Sequence, residues 1–300
     1  MFANAEHEFF EPILLEDLVG NGYELPSLPQ VYLRVSAQLD DPECSIEQIG
    51  NTIQNDPSIT SRILKLVNSG YLGTSKDILS VVEAVEMLGR ERCKHILIGS
   101  VVRGVFGAGE NPAFSMQAFW EHSIRTALIA RHLASECPLR VEPEVMFTAG
   151  LLHDVGKLLL IERFPNDMLA AEEIMIRRRI DQVSSELAQL GVTHTAVGEA
   201  LMLHWGMPDL LVDCVRFHHE AVHDGPHRQA THLVYLANRL GEYQPPLDED
   251  ETRAILEDIE NWNMNPITTE QIAYACQVTD ELVFEVMESL GMVTVGLDDD

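Results

Sequence analysis

The stretch Phe147-Thr148-Ala149-Gly150-Leu151-Leu152-His153-Asp154-Val155-Gly156-Lys157 decides how the rest of the chain is read. An apolar helical run ends in an imidazole beside a carboxylate, and glycine and lysine follow closely. A carboxylate in apolar surroundings is expensive to bury unless something compensates it. A metal ion would compensate both groups, whereas backbone groups at a helix end would satisfy an isolated His-Asp pair. The pair is not isolated. His122 stands upstream in Trp120-Glu121-His122-Ser123-Ile124-Arg125, His194 opens His194-Thr195-Ala196-Val197-Gly198-Glu199, and His218-His219-Glu220 comes later. Separations of 31, 41 and 24 residues place these groups on different helices. Helices that each contribute an imidazole to one point are how a bundle builds a metal site.

Outward from this core, helical spacing dominates and strand signals are weak, with aromatic residues at only 6%. Ser45-Ile46-Glu47-Gln48 has the form of a capping box, followed by apolar Ile46, Ile49 and Ile53. Asp56-Pro57 ends that helix and starts another over 59–67, which closes near Asn68-Ser69-Gly70. Residues 80–88, 96–106, 118–136 and 145–152 read as further helices. Glu172 to Arg179 reads as the end of another, with Arg177-Arg178-Arg179 a solvated face. Thr268-Thr269-Glu270-Gln271 is a second capping box, and Ile272 to Leu290 has room for two helices in the manner of residues 45–69. The expected fold is all-α, a multi-helix bundle with an N-terminal helical subdomain. Three glycines and a proline between Gly104 and Pro112 mark a loop and a boundary. The parts are then 1–111, an N-terminal helical region; 112–245, the core carrying the His/Asp cluster; and 246–300, an acidic helical extension ending in a frayed Asp298-Asp299-Asp300.

Charge and cysteine usage narrow the function classes. Forty-eight acidic against 20 basic side chains give a net charge of −28. Half of that excess lies between residues 245 and 300, where Arg253 is the single base. Such a surface repels phosphate backbones and anionic lipid, so neither a nucleic-acid polymer nor a membrane is an expected partner. No apolar run reaches the ~18–20 residues of a membrane helix, and Met1 to Glu16 lacks the pattern of a signal peptide. The five cysteines are scattered and form no CxxC pair, as in a reduced compartment. A cytoplasmic location is expected.

Several spaced segments together resemble the HDOD branch of the HD-domain metal-dependent phosphohydrolase superfamily. They are Leu25-Pro26-Ser27-Leu28-Pro29, Asp56-Pro57 through Leu64 to Asn68-Ser69, Ala84-Val85 to Leu88-Gly89, His204-Trp205-Gly206-Met207-Pro208 and Leu236-Ala237-Asn238-Arg239-Leu240. The resemblance covers about residues 20–245 and implies an HD-like bundle. In HD enzymes a first histidine, the His-Asp pair and a late aspartate hold one ion. The corresponding residues here are His122, His153, Asp154 and, as a departure, Asn238, whose amide oxygen is a weaker, neutral ligand. In the related HD-GYP branch three further histidines hold a second ion with the aspartate bridging, and His194, His218 and His219 match those places. The segment from His218 to Pro226 lacks the Gly-Tyr-Pro ending of that branch, so its cyclic-dinucleotide pocket is not expected. The resemblance implies one or two divalent ions, with iron, manganese or zinc suiting imidazole ligands. Asp154 and Lys157 are the candidate catalytic residues, Lys157 as a point charge toward a phosphate. It also implies a signalling or regulatory module that binds a partner protein or a nucleotide, or alternatively a metal-dependent phosphodiesterase acting on a nucleotide.

The remaining histidines have plainer readings. His204 reads as a packing residue beside Trp205, His223 and His227 as exposed loop residues, and His232 as a neighbour of Asn238 two turns away. His95 and His132 have no evident partner, and Glu121 reads as either a support for His122 or a surface acid.

Overall fold

The computed structural model describes residues 25–72, 77–106, 114–137, 140–242, 255, 257 and 267–293. Among these the chain is all-α, with no strand. The helices in order are α1 (Gln30–Asp40), α2 (Ile46–Gln54), α3 (Pro57–Val67), α4 (Val81–Val105), α5 (Met116–Glu136), α6 (Pro143–Leu152), α7 (Val155–Arg163), α8 (Pro165–Arg178), α9 (Gln182–Leu190), α10 (His194–His204), α11 (Asp209–Phe217), α12 (Arg228–Glu242) and α13 (Thr269–Ser289). Helices α1, α2 and α3 lie against α4, which meets α6. Helix α5 is the centre of the second half, with α6, α12 and α13 packed around it. No described helix is long and apolar enough to cross a membrane.

The local signals explain most of the helix ends. The Ser45 hydroxyl accepts the Gln48 N–H at 3.2 Å while the Gln48 side chain accepts the Ser45 N–H at 2.8 Å, a closed capping box. Asp56 accepts the N–H groups of Ser58 and Ile59, both at 3.0 Å, and Pro57 occupies the first helical position. The Thr268 box closes in the same way. The two helices read over 80–88 and 96–106 are the two arms of α4, which meet at Gly89, where a non-helical φ of 74° and ψ of 170° interrupt the helix, the second arm starting earlier than read. The expected pair of helices between Ile272 and Leu290 is instead the single helix α13. Residues 45–69 are divided by Pro57; the corresponding place, Thr279-Asp280, has no proline, and Thr279 is fully buried in the continuing helix. The glycine-proline loop falls largely on 107–113, outside the described residues, as do the N-terminal stretch and the triple-aspartate end.

The described part of the acidic extension is attached to the rest of the bundle. Helix α13 packs on α5 and α3. Asp280 pairs with Arg125 at 2.7 Å, Glu285 accepts the Gly70 N–H at 2.8 Å, and Gln271 donates to the Glu136 carbonyl at 3.0 Å. The two halves of the bundle are also joined by a buried polar knot. Tyr71 donates to Glu144 at 2.8 Å, Arg131 donates to the other Glu144 oxygen at 3.1 Å, and the Arg131 guanidinium lies 4.4 Å over the Tyr71 ring. Burial, with the Glu144 carboxylate next, pushes the Tyr71 hydroxyl well above its usual pKa.

Two glycines set the spacing around the core. A side chain at Gly150 would lie 2.6 Å from the Ala127 Cα, so only glycine lets α6 approach α5 this closely. One at Gly156 would overlap the His194 carbonyl oxygen and lie 2.6 Å from the Gly198 nitrogen. Gly156 thereby brings the start of α10 against α7, and with it His194 against Asp154.

Candidate metal centre

The functional side chains sit at helix ends. His153 caps the end of α6, and Asp154 is the residue before α7. His194 is the first residue of α10, behind a Thr193 cap that accepts the Ala196 N–H. His218 caps the end of α11, and His219 follows it. His122 and Asn238 come from the interiors of α5 and α12. His153, Asp154, His194 and His218 are all at most 1% exposed. All seven candidate ligands of the sequence reading converge, and they fall into two groups that share Asp154.

The inner group is Asp154, His194, His218 and His219. Asp154 Oδ1 lies 3.4 Å from His194 Nε2 and 3.3 Å from His218 Nε2. His194 Nε2 lies 3.2 Å from His218 Nε2 and 3.1 Å from His219 Nε2. The outer group is His122, His153 and Asp154. Asp154 Oδ2 lies 3.3 Å from His153 Nε2 and 3.8 Å from His122 Nε2, and His122 Nε2 lies 2.9 Å from Asn238 Oδ1. Lys157 donates to the same Oδ2 at 2.6 Å.

The tautomers follow from the far side of each ring. His153 Nδ1 faces the Gly150 carbonyl at 2.6 Å, and His218 Nδ1 faces the Val215 carbonyl at 2.8 Å. His194 Nδ1 faces both oxygens of Glu186 at 2.7 and 2.8 Å. Each Nδ1 must carry the proton, so each Nε2 turns a lone pair inward. Lone pairs from His194, His218 and Asp154 Oδ1 thus face one another at 3.2–3.4 Å, and Asp154 Oδ1 is buried without a hydrogen-bond partner. Facing lone pairs repel unless a cation lies among them. Ligand atoms bonded to one tetrahedral ion at ~2.0–2.1 Å stand about 3.3–3.4 Å apart. The donor set and its spacing therefore fit a divalent transition metal, and this cluster could hold one.

Burial favours the neutral form of His122, His218 and His219. Burial, then the neighbouring His153, lowers the pKa of His122 to about 4. Burial lowers His218 to about 3 and His219 further still, where His218 and His194 add to the effect. Burial alone would raise Asp154, but the neighbouring His153 and the Lys157 ammonium hold it well below the usual carboxylate range. Neutral imidazoles and an ionised carboxylate are the forms that bind metal.

Glu186 went unnoticed in the sequence. It is 1% exposed, on α9, and accepts both the His194 backbone N–H at 2.7 Å and its Nδ1–H. Such a carboxylate fixes a ligand histidine's tautomer and strengthens its donor nitrogen. The outer group opens into a cleft of about 380 Å³ between α5, α7, α8 and α9. Its floor holds His122, Asp154 and Lys157, and its walls include Phe119, Ile161, Met168 and Met175. Among the described residues lining it, Lys157 is the only lysine or arginine.

The other histidines of the C-terminal half lie outside the cluster. His204 is exposed, contrary to its expected packing role; Trp205 is the buried residue and donates to the Pro26 carbonyl at 2.6 Å. His223 and His227 are half-buried rather than exposed. His223 stacks on Phe217 with centroids 4.0 Å apart, and its backbone N–H donates to the buried His232 at 2.9 Å. His227 pairs with Asp213 at 2.8 Å. Glu121 is a surface acid 3.6 Å from Arg125.

The HDOD domain model matches residues 25–221. An uncharacterized protein of Treponema pallidum (strain Nichols) is 26% identical over 200 residues, 67% of this chain and 38% of that protein's length. A solved structure from Shewanella amazonensis SB2B, of a protein provisionally named a phosphohydrolase, superposes with a TM-score of 0.73 at 21% identity, covering 90% of this chain and 96% of the other. An HDOD domain protein of unknown function from Geobacter sulfurreducens superposes with a TM-score of 0.70 at 21% identity, covering 94% and 97%.

Proposed function

This chain belongs to the HDOD domain family, and on that premise we propose that it is a metal-bearing regulatory module. The cleft beside His122 and Lys157 receives a small anionic ligand, a nucleotide in the reading we favour, and a partner protein reads its presence. The observation that carries this is the buried, partnerless Asp154 Oδ1 facing the His194 and His218 lone pairs. A core that kept these groups for packing alone would carry a repulsive cluster with no compensating bond. The charge pattern of the cleft supports a ligand with one anionic group and an apolar or aromatic body. Lys157 offers one ammonium, Phe119, Met168 and Met175 offer soft apolar surface, and a polyphosphate would meet the acidic Glu172 at the wall.

A second reading, a metal-dependent phosphohydrolase cleaving a nucleotide phosphodiester, is favoured by the position of Lys157. A divalent ion, when bound, supplies Lewis-acid stabilisation of charge on a phosphoryl oxygen. The protein's own part would be to hold that oxygen near the Lys157 ammonium, with the apolar wall excluding water from the rest of the ligand.

Elemental analysis and hydrolysis of a generic phosphodiester, on wild type and on His153→Ala and Asp154→Ala, separate the two. Metal in the wild type without cleavage supports the module; metal with cleavage, both lost in the variants, supports the enzyme. Wild type free of metal after reconstitution under reducing conditions overturns both.

A further inference from the structure

We infer that the chain holds a single ion, in the inner group of Asp154 Oδ1, His194, His218 and His219, and that the Lys157 ammonium occupies the electrostatic place of a second ion in the outer group. The inference rests on the metal reading above and assigns the number and position of the ions.

The two groups differ in how well protons alone can satisfy them. In the inner group, the Nδ1 protons of His194 and His218 are committed to Glu186 and the Val215 carbonyl. A proton on His219 Nε2 could serve His194, 3.1 Å away, but His218 Nε2 and Asp154 Oδ1 would still face each other at 3.3 Å with nothing between them. Moving the His218 proton to Nε2 would only transfer the repulsion to the Val215 carbonyl, 2.8 Å from Nδ1, whereas a cation removes it. The outer group is better served without metal, although the His153 Nε2 lone pair still faces Asp154 Oδ2 at 3.3 Å. His122 Nε2–H can donate to Asn238 Oδ1 at 2.9 Å, and Asp154 Oδ2 already accepts from Lys157 at 2.6 Å.

Charge points the same way. An ion in the outer group would draw on His122, His153 and one oxygen of Asp154, with the neutral amide of Asn238 nearby in place of a second carboxylate. The one anionic oxygen available to it is the oxygen that Lys157 holds. A second cation would have to displace the ammonium or share Oδ2 with it, and two cations on one oxygen repel. Support is unequal as well: the inner group has the Glu186 carboxylate behind His194, whereas His153 is backed by the Gly150 carbonyl. Exposure completes the contrast. Three of the four inner ligands, Asp154, His194 and His218, are buried and His219 is part-buried, while the His122 and Lys157 side chains are 21% and 15% exposed and face the cleft. The buried cation is a resident one, and the ammonium is the positive group that an entering anion meets.

The test is metal stoichiometry and affinity on the full chain, by elemental analysis and by titration with Mn²⁺ and Zn²⁺. Wild type is expected to retain one ion per chain. His219→Ala should lose it or bind at least tenfold more weakly, and His122→Ala should keep it. Lys157→Met should admit a second ion at excess metal, and so should Asn238→Asp, which adds a carboxylate and leaves the lysine in place. Circular dichroism on each variant identifies any that fails to fold, and the two outer-group variants serve as checks on each other. Two ions per chain in wild type would overturn the inference while leaving the metal reading intact. Loss of the ion in His122→Ala with retention in His219→Ala would overturn it too. A second ion in neither Lys157→Met nor Asn238→Asp would remove Lys157 from the proposed role. No ion in any form would defeat the metal reading itself.

Discussion

Glu186→Gln is the sharpest test of how the inner cluster is held. The substitution changes almost no volume and leaves the backbone of α9 untouched. In the wild type, one carboxylate receives the His194 N–H at 2.7 Å and the His194 Nδ1–H at 2.7 and 2.8 Å, with Gln182 donating to it at 3.0 Å. A carboxamide has one oxygen. If that oxygen keeps the backbone N–H, its NH₂ group faces Nδ1, and two donors then meet. The conflict is relieved when His194 moves its proton to Nε2, the nitrogen that must offer its lone pair to the ion. Outer partners of this kind contribute roughly 10–100-fold in metal affinity, or about 1.4–2.7 kcal/mol. Without metal the effect should be smaller. Losing charge-assisted hydrogen bonds of roughly 1.5–3 kcal/mol each is offset by no longer burying a carboxylate. Metal affinity by competition with a chromophoric chelator, with thermal unfolding of the metal-free and metal-loaded forms, separates the two terms. Affinity within threefold of wild type, with unchanged folding, would refute the reasoning: Glu186 would then be neutral support, and the tautomer of His194 would be set elsewhere.

Further outcomes follow from the same geometry. Gly156→Ala places a methyl group on the His194 carbonyl and 2.6 Å from the Gly198 nitrogen, so α7 and α10 must separate. A loss of about 1–3 kcal/mol in denaturant unfolding is expected, together with weaker metal binding, as for other overpacked sites. Glu144→Ala strips the Tyr71 hydroxyl and the Arg131 guanidinium of their shared partner inside the bundle and should cost about 3 kcal/mol by the same measurement. Acid sensitivity should come from histidines outside the cluster as well. Burial lowers His95 and His132, and burial with His223 and Arg228 nearby lowers His232 to about 4. Between pH 6.5 and about 4 the unfolded chain therefore binds more protons than the folded one, and stability must fall as pH drops through that window. Unfolding midpoints that stay flat from pH 7 to pH 4.5 would contradict this.

The His/Asp cluster was legible because its chemistry is local to short motifs. His153-Asp154 names itself at the end of an apolar helix, and helical periodicity places His122, His194 and His218-His219 on separate elements. Three features were not legible, and the reasons differ. The single helix α13 was mistaken for two because its capping box matches that of α2; a cap specifies where a helix starts and carries no information about where it stops, and only Pro57 makes the earlier segment end. His204 was assigned to packing although only Trp205 is buried, because neighbours on a helix point about 100° apart and the sequence does not say which of them faces the core. Glu186 was missed for a deeper reason. Val183 and Leu190 share its helical face, but a lone glutamate beside Ser184, Ser185 and Gln189 reads as a surface acid. Its meaning is relational: eight residues upstream of His194, it is brought onto that ring by the turn at Gly191, whose φ of 77° reverses the chain between α9 and α10. Glycine at that turn and at position 156 thus does what no ligand residue can. Gly191 folds the supporting carboxylate back onto the imidazole, and Gly156 lets the imidazole reach the aspartate, so the charge arrangement of the centre depends on two residues that carry no charge.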